Sequence, residues 1–500
     1  MPLGLWPRCL VLACLLLPFS SLAQDETPTV TITWDKVTKV SNTTATLQVV
    51  VNPPLRRGST IHDTVYRTLA DLQADYVRYV PWLPYPRLGV AELAPPKDGK
   101  TSWDFSAIDP MTIDFLEATK GHSVILNFST IPQWMFKTDR PIAYPGDPDQ
   151  VAWDYEQGQQ LRDESLQEVA DYYARLLAWY TQGGITDEFG KRHGSGYHYT
   201  IPYWEVLNEP EFEHQISPEL YTRIYDAVVS AMLKVQPKMK FVGTALAFPS
   251  RNPHYFEYFL NPKNHKPGIP LDFISYHFYA VPTPDQTPGD QQFSFFAQAE
   301  GFLNIVRYIE SIRKRLSPET GTMINEIGAI SADDLVQGQP GHVTKPIPNS
   351  YWGLTSAIYA YIFAELSRMG IDVAGESQLV GYPTQFPSVS MVDWETGKPN
   401  PRYWVLKLLR DNFGPGDKLV ETKLASSSVY ASAVESRDGK RRVLLINKRD
   451  RPVQISLPGA ANSEVQFVDT TTGFQPPSST KLSSDKVTLN NFAVAVVTLQ

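Results

Sequence analysis

From about residue 60 to 410 the chain alternates short, nearly continuous apolar runs with longer segments of helical periodicity, and this rhythm constrains the fold most strongly. The short runs are Tyr76 to Val80, Ser123 to Phe128, Tyr203 to Leu207, Lys240 to Thr244, Phe273 to Phe278 and Thr322 to Glu326. Most are apolar at successive positions, as parallel strands covered on both faces should be. Between them Leu166, Val169, Tyr173, Leu176, Leu177 and Tyr180 recur at helical spacing. Another helix is predicted from Ser217-Pro218-Glu219, where Ser can cap and Pro suits the first turn. The expected fold class is α/β, a (β/α)8 TIM barrel.

Phe413-Gly414-Pro415-Gly416 breaks this pattern, and the remainder reads as short strands. Ser428 to Glu435 and Arg442 to Asn447 flank the hairpin signal Asp438-Gly439, and Val453 to Leu457, Glu464 to Val468 and Ala493 to Leu499 follow. A C-terminal β-sandwich domain is therefore predicted. The early β-rich stretch Val30 to Val51 is expected to add strands to it, because no helix separates its segments and Pro53-Pro54 ends it. The predicted partition is residues 1–23 as a signal peptide, 24–55 as N-terminal strands of the sandwich, 56–412 as the barrel and 413–500 as the sandwich.

The signal reading rests on Arg8, the apolar run Cys9 to Phe19 and the small-residue site Ser21-Leu22-Ala23, with cleavage expected after Ala23. It predicts a secreted or extracellular protein, periplasmic in a Gram-negative bacterium. No later run of about 20 apolar residues suggests a membrane span. Both cysteines, Cys9 and Cys14, fall in the leader, so disulfides, thiol nucleophiles and Cys metal sites are not expected after cleavage. Losing Arg8 takes the formal charge from -8 to -9, which disfavours nucleic acid or an anionic membrane as partner.

The chain shows no G-x-S-x-G elbow, Walker loop, Rossmann glycine motif or H-E-x-x-H pair, and no cofactor or metal is expected. Carboxylates at strand ends are the stronger signal. Glu209 ends Tyr203-Trp204-Glu205-Val206-Leu207-Asn208-Glu209-Pro210, and Glu326 ends Thr322-Met323-Ile324-Asn325-Glu326. Barrel enzymes carry their chemistry where strands end and βα loops begin. Counting units puts Glu209 on strand four and Glu326 on strand seven, and the 117 residues from 209 to 326 fit three units of 39. Glycosidic bond cleavage needs a proton for the leaving oxygen and an anion for the developing sugar cation, and two carboxyl groups in different environments supply both.

These two strand ends resemble those of clan A glycoside hydrolases, and within that clan the layout is most similar to family 39, which holds β-xylosidases and α-L-iduronidases. The resemblance implies a retaining O-glycosidase acting by double displacement on oligo- or polysaccharides, with Glu209 as acid/base and Glu326 as nucleophile. It further implies that Asn208 bonds the sugar 2-hydroxyl, that Arg78 lies beside the nucleophile and helps keep it ionised, and that His277 and Tyr279 form the strand-six pair. The segment Ala245 to Arg251 departs from the glycine-rich loop of that family.

Aromatic residues make up 12% of the chain, and sugars stack on such rings; Trp82, Trp134, Trp352 and Trp394, in or beside predicted βα loops, are candidate platforms. The long segment Ile131 to Gln160 is a candidate cleft wall. Arg251 is a candidate partner for a substrate carboxylate. The rival from another class is a non-catalytic carbohydrate-binding protein on the same scaffold.

Overall fold

A computed structural model describes residues 27–500 except 139–143, 154, 156–157, 284 and 340. The predicted signal peptide and its two cysteines lie outside the described residues. Eight parallel strands close into a barrel, in chain order Thr44–Val50, Val77–Val80, Val124–Leu126, Tyr203–Glu205, Lys240–Leu246, Phe273–Ala280, Gly321–Ala329 and Val373–Glu376. They are numbered one to eight below, and strand eight pairs with strand one to complete the ring. The strands are short and mostly buried on both faces, which is why they read as apolar runs without alternation.

A helix follows each strand, long as at Gln167–Thr181 after strand three and Pro218–Val235 after strand four, but only Pro253–Phe259 after strand five. The first buries Val169, Tyr173, Leu176, Leu177 and Tyr180, the predicted stripe, while Leu166 serves as its left-handed N-cap. The second begins as expected, with the Ser217 side chain accepting a hydrogen bond from the Leu220 amide.

The C-terminal region forms a seven-stranded antiparallel sheet faced by the hairpin-like pair Val453–Ser456 and Lys486–Leu489. Arg441–Asn447 sits near the centre of the sheet, and its successive residues are divided between two cores. Val443 and Leu445 join the sandwich core with Ala495 and Val497, whereas Leu444 and Ile446 face the barrel core with Val494 and Val496. This sheet is thus packed on both faces, and the two domains share a continuous apolar boundary.

The stretch Val30 to Val51 corrects the expectation drawn from it. Thr31–Val40 does pair antiparallel with Lys418–Lys423 in the sandwich sheet. Thr44–Val50 instead enters the barrel as strand one, parallel to Val77–Val80 and Val373–Glu376. The barrel therefore starts before residue 56. The chain crosses between domains at Ser41–Thr43, where Ser41 exchanges backbone hydrogen bonds with Asp417 and Gly416, at the predicted break.

Candidate active site

At the C-terminal end of the barrel, strands two, four, six and seven bring polar side chains into an otherwise apolar interior. Arg78 on strand two is fully buried and stands beside Gln48 of strand one in the sheet register. Its guanidinium donates to Gln48 Oε1 at 2.6 Å, Glu205 Oε2 at 2.5 Å, Glu326 Oε1 at 2.5 Å and Asn208 Oδ1 at 2.6 Å. Glu205 in turn accepts from Asn127 Nδ2 at 2.5 Å, Ser275 Oγ at 2.5 Å and Asn325 Nδ2 at 2.7 Å. A charge in the middle of a buried strand is tolerable only with such complete pairing.

Strand four ends in an unusual backbone. Leu207 and Glu209 both hold positive φ, at 63° and 42°, although neither is glycine. Each such residue costs on the order of 1 kcal/mol or more, and persists only where its surroundings over-determine it. Here Asn127 donates to the Leu207 carbonyl at 3.0 Å, and the Glu209 amide donates to the Ala245 carbonyl at 3.0 Å. Pro210 then opens the short helix Pro210–Glu213, with Glu209 as its N-cap. The turn swings the Glu209 side chain to the barrel mouth.

Glu326 and His277 are register neighbours on strands seven and six. His277 Nδ1 lies 2.8 Å from Glu209 Oε1, and its Nε2 lies 3.6 Å from Glu326 Oε1. Tyr279 donates to Glu326 Oε2 at 2.6 Å, and its hydroxyl also lies 2.6 Å from Ser377 Oγ. Glu209, His277 and Glu326 thus place one ligand-type atom each within 4.8 Å of one another. Arg78 already supplies a cation to Glu326, so a metal dication in this trio would meet like charge.

The two carboxyl groups differ in environment. Burial raises the Glu209 carboxyl above the ordinary range and the Glu326 charge adds to this, against the hydrogen bond and charge of His277. Burial alone would raise Glu326 too, but the charges of His277 and Arg78 and the Tyr279 hydrogen bond outweigh it and hold this carboxyl low. Burial disfavours charge on His277, yet Glu326 and Glu209 overcome it and raise that imidazole. Two adjacent carboxyl groups pushed in opposite directions are what divided acid and base roles require.

The fold is shared with known proteins along nearly its whole length. The family 51 arabinofuranosidase of Xanthomonas axonopodis pv. citri superposes with a TM-score of 0.65 at 13% identity, over 95% of this chain and 100% of that one. The family 51 α-L-arabinofuranosidase of Thermotoga petrophila gives 0.62 at 14% identity, over 95% and 100%. A family 30 endoxylanase of Clostridium papyrosolvens gives 0.56 at 14% identity, over 94% and 100%. The fold, a barrel with a β-sandwich, is thus one that these glycoside hydrolases share. Residues 426–497 also match the profile of the D-apionate lactonase C-terminal immunoglobulin-like domain. No curated protein matches the chain in sequence.

Within this fold the sequence-derived candidates separate. Glu209, Glu326, Arg78, Asn208, His277 and Tyr279 converge in one hydrogen-bonded cluster. Trp82, on the loop after strand two, reaches the cluster through Glu213, to which its Nε1 donates at 2.7 Å, and its ring packs edge-on against Trp153 of the Ile131 to Gln160 segment. Trp134 stands apart. Its Nε1 donates to the Glu92 carbonyl at 2.9 Å, and the Arg162 guanidinium lies 4.5 Å over its ring. Trp352 is a correction: it does lie beside a loop, in the first turn of the helix Asn349–Met369, but its ring is buried in the core and is no open platform. Trp394 is half-buried against the same core.

Besides Glu205, two acidic groups were not anticipated. Glu213 Oε1 accepts from Asn208 Nδ2 at 2.8 Å as well as from Trp82, and burial together with the Glu209 charge pushes its carboxyl well above the ordinary range. Glu211 accepts from the Phe248 amide at 2.9 Å, and burial raises it to about 7. Both follow Glu209 on a short helix, where acidic residues read from sequence as solvent-facing.

Proposed function

We propose that the protein is a secreted retaining glycoside hydrolase in which Glu326 is the nucleophile and Glu209 the general acid/base. The observation that carries this reading is the pair of carboxyl groups, Glu326 buried and Glu209 partly exposed, with oxygens within 4.8 Å, one group held low and one held high. Carboxyl groups about 5 to 5.5 Å apart suit double displacement, whereas inversion needs about 6.5 to 9.5 Å to admit a water.

In the first step a Glu326 oxygen attacks the anomeric carbon while the bond to the leaving oxygen breaks and the Glu209 proton passes to that oxygen. In the second, water attacks the same carbon, Glu209 takes its proton, and Glu326 leaves as a carboxylate. Arg78 and Tyr279 fix the Glu326 carboxylate from two sides. Asn208, oriented by Arg78 and Glu213, presents its remaining amide hydrogen to a sugar hydroxyl. The family 51 and family 30 likeness supports pentose-containing substrates, and the layout supports a β-xylosidase- or α-L-iduronidase-like activity of the family 39 kind.

The test is a panel of nitrophenyl xylosides, arabinosides, glucuronides and iduronides, with proton NMR of the first-formed product. Retention of configuration is expected. Glu326→Ala should abolish turnover; Glu209→Ala should form the glycosyl-enzyme from a nitrophenyl substrate, stall, and be rescued by azide. An inverted wild-type product, or azide rescue of Glu326→Ala with unchanged configuration, would show the roles to be wrong.

The lactonase match of residues 426–497 favours a second reading, opening of a sugar lactone at the same carboxyl pair. A lactone consumed in a pH-stat assay while every glycoside is left intact would select it. Oligosaccharide binding without turnover of either would select the non-catalytic rival.

A further inference from the structure

Phe212 and Phe248 are exposed, at 57% and 37%, and touch each other edge to face with ring centroids 5.4 Å apart. Phe212 lies on the short helix that Glu209 caps, its amide donating to the Glu209 carbonyl at 2.8 Å. Phe248 lies on the loop after strand five, which is tied to the same turn by the Glu209 amide on Ala245 and by the Phe248 amide on Glu211. The Arg251 guanidinium lies 4.7 Å over the Phe248 ring. Among the described residues that guanidinium has no hydrogen-bond or ion-pair partner.

An exposed phenylalanine pair is an unfavourable surface unless something covers it. A guanidinium held over a ring can still offer two N–H groups to one carboxylate. Glu257, on the helix that follows Arg251, is engaged by Arg315 at 3.3 Å.

Position decides what this patch serves. Glu326 is flanked by strands six and eight, so the sugar being cleaved lies over that side of the mouth. A general acid must stand within hydrogen-bond reach of the leaving oxygen, so the leaving group extends on the Glu209 side. The elements that continue outward from Glu209 are the Pro210–Glu213 helix and, from the end of strand five, the loop that runs to Asn252.

Resting on the glycosidase reading, we infer that Phe212, Phe248 and Arg251 form a leaving-group subsite for an acidic sugar, a uronic acid residue whose ring covers the phenyl pair and whose carboxylate meets Arg251. The loop after strand five, where the sequence departs from the glycine-rich form, then supplies the specificity. A substrate joined through the anomeric carbon to a uronic acid is favoured over the same glycoside of a neutral sugar.

The experiment uses the full chain in two arms. In the first, titration calorimetry compares methyl glucuronide with methyl glucoside; the glucuronide should bind fivefold to tenfold tighter, and Arg251→Gln should erase the difference. In the second, the kcat/KM ratio for two disaccharides sharing one hydrolysable sugar, linked to glucuronic acid or to glucose, should fall by a similar factor in Arg251→Gln. Phe212→Ala with Phe248→Ala should weaken both methyl glycosides. Arg251-dependent glucuronide binding without hydrolysis of any glycoside would keep the subsite and remove the glycosidase reading. Hydrolysis with no uronate preference, or a preference that Arg251→Gln leaves intact, would remove the subsite alone.

Discussion

Two arginines are fully buried beside the barrel strands, and their surroundings differ in a way that separates chemistry from architecture. Arg78 meets two carboxylates and two amide oxygens, all from strands or strand ends around the barrel mouth. Arg402, in the first turn of the helix Pro401–Asn412, meets one carboxylate, Glu376 on strand eight at 2.8 Å, and the Ser377 carbonyl. Its Nη1 and the second oxygen of Glu376 have no hydrogen-bond partner among the described residues. Burial lifts Glu376 to about 7 despite that arginine. The Arg402 pair is a balanced, isolated contact, whereas Arg78 shares one cation between two anions and leaves His277 to supply the rest. Surplus negative charge held beside a single cation is tolerated where that charge is to be used.

Breaking each arginine tests this contrast and should give the largest effects. Arg78→Met strands Glu205 and Glu326, and Arg402→Met strands Glu376; each should cost about 3 to 5 kcal/mol in urea unfolding, as loss of one partner of a buried pair does. The remedies should differ. Arg402→Met combined with Glu376→Leu should recover most of that stability and keep kcat/KM within roughly tenfold of wild type, because a well-packed apolar pair replaces a buried ion pair at little cost. Arg78→Met combined with Glu205→Leu should remain inactive at any stability, since Glu326 still lacks its cation. Equal activity in the two double variants would collapse the distinction.

The same contrast governs what could be read from sequence. Strands two to seven were legible because each contains a short, mostly apolar run. Strand one was not: three residues, Ser41 to Thr43, separate it from a sandwich strand with no helix between, so proximity in sequence suggested one sheet where the chain in fact changes domain. Strand eight has only four residues, one of them Gly375, where a Cβ would lie 3.0 Å from the Asn325 carbonyl oxygen; close approach there demands a residue with no hydrophobic signature. Arg78, Glu209 and Glu326 stood out as charges among apolar neighbours. Glu205 carried the same signal, a lone acid inside a strand opposite a lone arginine, and pairing those two would have found it. The aromatic rings were ambiguous because a tryptophan in a loop and one on a buried helix face share one composition, and only the helix start at Asn349 places Trp352 inside.

A smaller effect concerns how His277 divides protons between the carboxyl groups. In the proposed mechanism Glu326 acts ionised and Glu209 protonated, so kcat/KM should rise with pH through the Glu326 titration and fall through that of Glu209. The His277 charge lowers Glu326, and its hydrogen bond and charge lower Glu209. His277→Asn removes both influences, so both limbs of the profile should move to higher pH. A profile measured on a nitrophenyl glycoside in which the basic limb moves down, or neither limb moves, would show that His277 acts only as packing.

The smallest effect is expected where Glu213 meets Asn208 and Trp82, and it tests whether a third carboxyl group near the pair adds charge or only shape. Burial first, and then the charge of Glu209, favour the protonated form of Glu213. A protonated carboxyl and a primary amide have nearly the same outline, and the amide oxygen of a glutamine can accept from Asn208 Nδ2 and Trp82 Nε1 as Glu213 Oε1 does. Glu213→Gln should therefore change kcat/KM by no more than about threefold at acid pH, a difference below roughly 1 kcal/mol. Glu213→Ala leaves two donors without their acceptor; at about 1 to 3 kcal/mol for each unsatisfied buried group, it should lower kcat/KM by tenfold or more while Asn208 loses its fixed orientation. If Gln fails as badly as Ala, the ionised form is the working one, and negative charge at the barrel mouth then extends beyond Glu205 and Glu326.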